Sequence, residues 1–358
     1  MIYMATKTKK QQVVKKVQKI DLDILYGLYQ YRALSIRQIK RKYNMSQRYT
    51  YKKMQILYNT GWVHKGWITG YTKNQRKKRQ GAYYRISETG IACLRKQGYP
   101  VERKAYDLRV SENFLPYLLS TNDLIIDLKP FNWTYQDSRE VKRKYNLNRG
   151  DSLQGILKNN GKEYVIYMLM EKTTKITLKK IANEIESYSD HQLTKNYIIF
   201  VRGQKSYNQV TDYIGNHIGA ITTSRKIKVM PMYFAKMYLR QFHKEQVLIN
   251  YLKGHGVYDI TNKVNSRHNK THKGLTTIVQ HDGESKYLVN LLDSDLIKIQ
   301  DIHSYRKEQY RLDGKRILIV TTNGLINQQQ EMLQSVKHID WLSIDHRELI
   351  NYLSKVSK

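Results

Sequence analysis

The sequence predicts an α+β protein, in which a group of helices with a β-hairpin precedes one or two α/β units. Three observations lead to this prediction. Apolar residues recur every three or four positions between residues 21 and 59, which is the spacing of buried helical faces. Two short β-type runs, 62–65 and 82–86, flank a polar stretch and predict a hairpin. From residue 150 onward, apolar runs alternate with amphipathic helical patterns, which is the order of an α/β core.

Three helices are predicted before the hairpin. The first begins at Asp21. Ser35 and Ser46 are expected to be the N-caps of the second and third, because a serine hydroxyl accepts a hydrogen bond from the free amides of a first helical turn. The third helix, 47–59, should end at Gly61, since glycine adopts the left-handed conformation that follows many helices.

The hairpin and a fourth helix complete the N-terminal region. The loop between the two β-type runs, residues 66–81, is rich in lysine and arginine and contains no acidic residue. Ser87 then begins a helix that runs to about residue 96. Three helices, a hairpin and a last helix are the order of a winged helix-turn-helix, which we assign to residues 21–97.

This assignment predicts where DNA would bind. In such domains the third helix enters the major groove, and the hairpin loop, or wing, lies along the phosphates or in the minor groove. Glutamine and arginine at the start of that helix can form paired hydrogen bonds with base edges, and wing cations can pair with phosphates. The predicted DNA-binding residues lie on the second and third helices and in the wing: Arg37, Ser46, Gln47, Arg48, Tyr49, Tyr51, Lys52, Gln55, Lys73, Arg76, Lys77, Lys78 and Arg79. A plain helical bundle with a solvated basic loop is the alternative interpretation of the same pattern.

The charge of the chain favours a polyanionic partner. The 358 residues include 63 lysines and arginines against 30 acidic residues, a formal charge of +33. Nucleic acid is the first candidate and an anionic membrane the second. No apolar run reaches the roughly 20 residues that cross a bilayer, and no apolar signal core follows the N-terminal charges, so we expect a cytoplasmic protein with no membrane partner. The single cysteine, Cys93, excludes an intramolecular disulfide and is expected to be a small core residue.

Two segments flank the predicted winged helix. Residues 1–20 are a basic arm, which either follows DNA phosphates or is a disordered tail that contributes only charge. On the other side, the Gly98-Tyr99-Pro100 sequence should end the fourth helix and mark a boundary. Residues 101–107 are expected to be a linker.

The residues around the hairpin resemble those of a known family. Thr60-Gly61-Trp62-Val63 precedes the hairpin, Ala82-Tyr83-Tyr84-Arg85-Ile86 ends it, and Ser87-Glu88-Thr89-Gly90-Ile91-Ala92-Cys93-Leu94 follows. After a helix-turn-helix, this combination resembles the replication-relaxation proteins of plasmids and integrative elements. The resemblance covers about residues 21–96 and 108–240, and it implies a winged helix followed by a domain like the restriction-type nucleases.

The elements expected in residues 108–245 agree with such a nuclease-like α/β domain. Asn159-Asn160-Gly161 predicts a hairpin turn, followed by strands at 164–170, 196–201 and 226–230 with helices between them. A β-hairpin, helix, strand, helix, strand order results.

Asp151, Glu171 and Lys172 are the weak catalytic candidates of this domain. Two carboxylates from neighbouring strands could bind Mg²⁺, because hard cations take oxygen ligands and lower the pKa of a bound water. In nuclease sites of this class a lysine lies two residues after the acid, and here that position is Thr173. We therefore expect a degenerate site with no catalytic residue and no cofactor, with Mg²⁺ needed only if the nuclease interpretation holds.

The last part of the chain, residues 246–358, parallels the preceding one. The stretch 282–293 resembles 160–171 with one insertion, and both continue into a helix and strands. This predicts a second α/β unit that repeats the first, with Asp293 and Asp295 as the equivalent acids, although chance similarity would explain the pattern as well. His268 and His272 lie in a polar segment that indicates a solvated loop rather than a metal site.

These features predict a protein that binds double-stranded DNA sequence-specifically and acts in plasmid or mobile-element replication or conjugative transfer. A transcriptional repressor of its own element and a Mg²⁺-dependent endonuclease or nicking accessory are the alternatives. We expect a homodimer, since operators of winged helices commonly have two-fold symmetry. Replication or transfer enzymes are possible further partners.

Overall fold

The computed structural model describes residues 17–71, 77–171, 173–241, 245–261 and 274–356. Within these ranges the protein is a mixed α+β structure of fifteen α-helices and three β-sheets. The chain divides into two compact units, Met1–Asp127 and Leu128–Lys358. No helix of the described ranges is both long and apolar enough to span a membrane.

The first unit contains five α-helices and one three-stranded sheet in its described residues. In chain order its elements are α1 (Lys19–Tyr31), β1 (Leu34–Ser35), α2 (Ile36–Lys42), α3 (Gln47–Asn59), β2 (Val63–Tyr71), β3 (Lys77–Ile86), α4 (Glu88–Lys96) and α5 (Leu115–Leu128), the last ending at the boundary. The sheet has the order β1-β3-β2, with antiparallel pairing throughout. The expected helix order and hairpin are therefore confirmed.

Local hydrogen bonds explain where the helices begin. The Ser35 hydroxyl accepts from the amide of Gln38, whose side chain in turn accepts from the amide of Ser35, so two free amides are paired at once. Ser46 and Ser87 are the N-caps of α3 and α4, as predicted, and their hydroxyls accept from the amides of Tyr49 and Gly90. After α3, Gly61 has the left-handed φ of 73° that its position requires.

The first unit extends further than the sequence suggested. Residues 101–107 are not a free linker, because Val101 and Leu108 are buried in the same core as α1 and α4. The chain then continues into α5, whose Asn122 amide donates to the carbonyl oxygens of Tyr31 and Ala33. The boundary between compact units consequently follows Asp127 rather than residue 97.

The second unit contains two five-stranded sheets with helices between their strands. Its first part comprises β4 (Thr134–Asp137), α6 (Ser138–Lys144), β5 (Gly155–Asn159), β6 (Lys162–Leu169), α7 (Lys175–Ser187), β7 (Asn196–Val201), α8 (Gln204–Gly215), α9 (Ile218–Thr223), β8 (Lys226–Pro231) and α10 (Met232–Gln241). Its second part comprises α11 (Glu245–Leu252), β9 (Tyr258–Asp259), β10 (Ile278–His281), β11 (Glu284–Asn290), α12 (Leu296–Ser304), α13 (Lys307–Asp313), β12 (Ile317–Thr322), α14 (Ile326–Met332), β13 (Ile339–Ile344) and α15 (His346–Val356). The strands predicted at 164–170, 196–201 and 226–230 are β6, β7 and β8, whose observed ends lie within two residues of the expected ones.

The two sheets have the same topology. Their orders are β4-β5-β6-β7-β8 and β9-β10-β11-β12-β13, and in each the first two pairings are antiparallel and the last two parallel. Each central hairpin turns through two residues of positive φ, Asn160-Gly161 in one sheet and Asp282-Gly283 in the other. Both are the tight turns that match the twist of a two-residue hairpin.

The two sheets do not form separate compact units at residue 245, where the sequence suggested a boundary. One continuous apolar core includes residues of both, among them Tyr167 and Val229 from the first part and Ile299 and Ile319 from the second. Lys228 on β8 also forms an isolated β-bridge with Asp295. This shared core explains why the residues from Leu128 onward group together.

Candidate nucleic-acid interface

Helix α3 divides its side chains cleanly between core and solvent. Thr50, Met54 and Leu57 are fully buried, as expected, and the Ser46 hydroxyl accepts from the Tyr49 amide at 3.2 Å. The side chains predicted to contact DNA from this helix are all exposed: Gln47, Arg48, Tyr49, Tyr51, Lys52 and Gln55. A continuous polar and aromatic face results, held in position by the buried one.

The charge of the exposed face of α3 is positive. Arg48 and Lys52 are exposed on a helix that contains no acidic residue. Gln55 differs from them, since its amide donates to Asn59 along the same helix at 2.8 Å. Gln47 and Arg48 are the first two residues of α3. Because the side chains of a helix tilt toward its N-terminus, these two can extend beyond the end of the helix.

The second helix contributes less than its composition suggests. Arg37, one of the predicted DNA-binding residues, is exposed on α2. Arg41, near the end of that helix, instead forms ion pairs with Asp123 at 2.5 Å and with Asp127 at 3.1 Å. These contacts hold α2 against α5, so Arg41 has a structural partner within the first unit.

The hairpin is longer and more regular than predicted. Most of the expected loop, residues 66–81, belongs to β2 and β3, whose pairing continues from Val63↔Ile86 to Tyr71↔Lys77 with one irregularity at Ile68 and Thr69. Polar residues can continue a strand when the partner strand satisfies their backbone groups, which the sequence pattern alone did not reveal. Lys78 and Arg79 lie exposed on β3, whereas Lys73, Arg76 and the side chain of Lys77 are outside the described residues.

An exposed tryptophan on β2 was missed by the sequence analysis. Trp67 is 44% exposed, and its ring lies 4.7 Å from both the Lys65 ammonium and the Arg79 guanidinium carbon. A tryptophan face attracts cations through its quadrupole, so the three side chains form one exposed cluster on the hairpin. Trp67 lies on the same face of β2 as the buried Val63, opposite the buried Ala82, so alternation along the strand gives no signal for its exposure.

Two tyrosines of β3 are less accessible. Tyr84 is 3% exposed and belongs to the core, while Tyr83 is half-buried against the apolar residues of α5. Both residues therefore pack within the first unit. Cys93 likewise packs against the core of the first unit, and burial raises the pKa of its thiol.

The weak catalytic candidates of the second unit do not come together. Asp151 lies four residues before β5 rather than on it, and its carboxylate accepts from the Tyr188 hydroxyl at the C-terminal end of α7. Glu171 precedes the N-terminal end of α7 and lies beside Gly203, which follows β7. Thirteen helical residues, about 20 Å, therefore separate the two ends. Lys172 is outside the described residues.

A different carboxylate lies near Asp151. Glu184 on α7 is buried and accepts from the Ser152 amide at 2.7 Å, and burial raises the pKa of its carboxyl. The Lys142 and Lys180 ammoniums donate to backbone carbonyls of residues 149–151. These contacts hold the turn before β5, which is a structural role.

Asp293 and Asp295 are buried rather than open to solvent. The Lys228 ammonium lies 2.7 Å from Asp293, and the Asp295 carboxylate accepts from the amides of Ile227 and Ile297. Asp295 is thus the N-cap of α12 and a link to β8. Across the described ranges, no group of three or more histidine, cysteine or acidic side chains could hold a metal ion. His268 and His272 lie outside those ranges.

Comparisons with known proteins agree with the first part of this description. Residues 25–192 match the family model of replication-relaxation proteins. Comparisons with the curated proteins and with the solved structures found no match. The matched segment includes the exposed face of α3, the hairpin, and strands β4, β5 and β6 of the first sheet of the second unit. Over residues 25–192, just under half of its length, the chain is therefore similar to the replication-relaxation family.

Proposed function

We propose that the first unit is a winged helix that binds double-stranded DNA with sequence preference. The exposed face of α3 is the observation that carries this proposal. It combines Gln47 and Arg48, which can form paired hydrogen bonds with adenine and guanine, with Lys52 as a cation for phosphate. The antiparallel hairpin that follows has Lys78, Arg79 and the Trp67 cluster exposed, as a wing would require.

The biological role that fits best is replication or transfer of a plasmid or other mobile element. The match to the replication-relaxation family over residues 25–192 supports it. The formal charge of +33 supports a polyanionic partner in the same way.

For the second unit we infer a nuclease-like core that does not cleave DNA. The hairpin followed by two parallel strands supports the fold, and the separation of Asp151 from Glu171 by the length of α7 argues against an assembled metal site. Such a core would provide a surface for self-association or for replication and transfer enzymes.

A selection of bound genomic fragments tests the main proposal. The full chain is mixed with fragments of the element or host DNA at about 0.15 M salt, where non-specific phosphate binding is weak. Enrichment of one site supports sequence-specific binding. A site within an origin or transfer region favours the proposed role, whereas a site overlapping a promoter favours a repressor. Binding that scales only with fragment length contradicts the proposal.

Self-association is a separate proposal. A two-fold symmetric site would position two copies of α3 on one face of the duplex, about one helical turn apart. Sedimentation equilibrium of the full chain with its selected site should give the mass of two chains per duplex. One chain per duplex at saturation would contradict the dimer and leave the DNA-binding proposal standing.

A further inference from the structure

A small cleft lies on the face of the β1-β3-β2 sheet away from the main core of the first unit. His64 and Arg85 are cross-strand partners, next to the buried pair Val63 and Ile86. Because successive residues of a strand point to opposite faces, His64 and Arg85 point away from that core. Ala105, Tyr106, Leu108 and Arg109 complete the lining of the cleft.

The segment that contains these last four residues is fixed by its own hydrogen bonds. One oxygen of the Glu88 carboxylate accepts from the Ala105 amide at 2.8 Å and from the Tyr106 amide at 3.4 Å. The Arg109 guanidinium lies over the Tyr106 ring, and the Arg109 carbonyl accepts from Arg32. The cleft is thus formed by folded backbone on both sides.

The lining has an excess of positive charge. Two guanidiniums, those of Arg85 and Arg109, share the cleft with one carboxylate, Glu88, among the lining residues of the described structure. The Arg85 Nε is enclosed and has no hydrogen-bond partner in the described residues. A buried donor without an acceptor is unusual in a folded protein and indicates a missing partner.

We propose that His64, Arg85 and Arg109 form a binding site for a phosphate group. Guanidiniums bind phosphate oxygens through pairs of parallel N–H bonds, and an imidazole supplies one further donor. The cleft has a volume of about 70 Å³, and on the same measure one water molecule needs roughly 10–15 Å³. It therefore has room for a phosphate group. The phosphate can belong to the DNA backbone or to a free phosphate compound. The first case rests on the proposed DNA-binding function, and the second does not.

His64 provides a direct measurement of occupancy. Burial, then the charges of Arg85 and Arg109, lowers the pKa of this imidazole. Glu88 of α4 is the acidic residue among those that line the cleft in the described structure. A phosphate dianion would oppose the two arginine charges and raise the pKa. The experiment records the NMR signal of the His64 ring in the full chain as a function of pH, with and without inorganic phosphate at matched ionic strength. His64→Gln identifies the signal.

The expected result is a higher His64 pKa in phosphate, with phosphate affinity about tenfold weaker in Arg85→Gln and in Arg109→Gln. Using arginines from both sides of the cleft protects the test against one variant that fails to fold, which thermal unfolding would reveal. Arg143→Gln, an exposed arginine on α6, is the matched control and should bind like the parent.

A second measurement distinguishes the sources of phosphate. If the site binds DNA, Arg85→Gln should reduce the slope of log affinity against log salt by about one. An unchanged slope with lost binding of inorganic phosphate assigns the site to a free phosphate compound. No pKa change with phosphate and no change in the DNA slope would overturn the proposal. Failure of the proposed function would appear separately, as absence of a selected DNA site while the phosphate titration still responds.

Discussion

The Lys53 ammonium of α3 lies 2.9 Å from the Asp21 carboxylate of α1, and both side chains are buried. The same ammonium donates to the side-chain oxygen of Gln18 at 2.8 Å, and the backbone amide of Gln18 donates to the Asp21 carboxylate. Lys53 therefore connects the back of the candidate DNA-reading helix to the start of the domain. Its neighbour Lys52, one residue earlier, points to solvent.

Removing one member of this pair should destabilise the protein strongly. Lys53→Met leaves Asp21 buried without its cation, which typically costs about 3 to 5 kcal/mol. Lys52→Met, the exposed control, should change the free energy of unfolding by less than about 0.5 kcal/mol. Urea unfolding monitored by circular dichroism measures both. The Lys53→Met, Asp21→Leu double variant should recover most of the lost free energy of unfolding. If Lys53→Met and Lys52→Met destabilised the protein equally, the structural role of Lys53 would be contradicted.

Arg48 should determine sequence preference. If its guanidinium pairs with a base edge, Arg48→Ala costs about 1 to 3 kcal/mol on the selected site and much less on unrelated DNA. Lys78→Ala on the hairpin should instead weaken binding to both DNAs equally and reduce the salt slope by about one. Fluorescence anisotropy over a salt series separates the two. Equal, sequence-independent losses from both variants would mean that α3 is not the reader.

Trp67 should contribute to DNA affinity without affecting sequence preference. Trp67→Ala removes the aromatic face on which Lys65 and Arg79 rest, so these cations lose their fixed position. We expect affinity to fall by about 0.5 to 1 kcal/mol, the value of an exposed cation–π contact. Phe114→Ala, another exposed aromatic residue of the first unit, is the control and should bind like the parent. Unaltered binding of Trp67→Ala would exclude the hairpin cluster from the interface.

The buried Asp293 should make stability depend on acid pH. Burial alone would raise the pKa of this carboxyl, but the charges of Lys228 and Lys298 lower it to about 2. Since the unfolded carboxyl has a pKa of about 3.9, its contribution is fully present above roughly pH 4 and is lost as the pH falls toward 2. Asp293→Asn should therefore destabilise the protein at neutral pH and flatten the loss of stability in that window.

Asp295 provides the opposite control. Burial and the Asp293 charge raise the pKa of Asp295, so its ionisation opposes folding as the pH rises through and above the unfolded value. Asp295→Asn keeps a side-chain oxygen for the Ile227 and Ile297 amides and should remove that opposing dependence. Thermal unfolding of both variants from pH 2 to 7 measures these slopes, and slopes that change in the same direction would contradict the assignment.

The protein should not nick supercoiled plasmid DNA in Mg²⁺. Phosphodiester cleavage needs carboxylates that share a metal ion. The Asp151 carboxylate is bound to Tyr188, after the C-terminal end of α7, whereas Glu171 precedes the N-terminal end of that helix and lies beside Gly203. Gel electrophoresis of plasmid incubated with the full chain should show no nicked form beyond that of a heat-inactivated sample. Nicking that disappears in Glu171→Gln would restore the endonuclease interpretation.

Features that depend on neighbours in the sequence could be predicted. The caps at Ser35, Ser46 and Ser87 bond within three residues, and the Asn160-Gly161 turn depends on its own two backbone conformations. The exposed residues of α3 followed from the helical period, because the buried positions Thr50, Met54 and Leu57 fix the other face. The parallel between the two α/β parts was visible for the same reason.

Features that depend on residues distant in the sequence could not be predicted. Lys53 appeared to be one more surface cation, because its partner Asp21 lies 32 positions earlier in the chain. The distance between Asp151 and Glu171 is set by how α7 packs on the sheet, and the phosphate cleft joins strands to a segment that the sequence presented as a linker. In each case the contact joins elements that are far apart in the sequence, and no periodic pattern of residue types predicts that they meet.

The family match ends at residue 192, in the connection between α7 and β7. There, β6 has its hairpin partner β5 on one side and requires β7 on the other, where Val165 pairs with Tyr197 and Leu169 with Val201. A fragment cut at that position would leave the backbone groups along one side of an apolar strand without partners, which is a template for aggregation. The segment that matches the family model is accordingly not a unit of folding by itself, and soluble expression should require the strands that follow it.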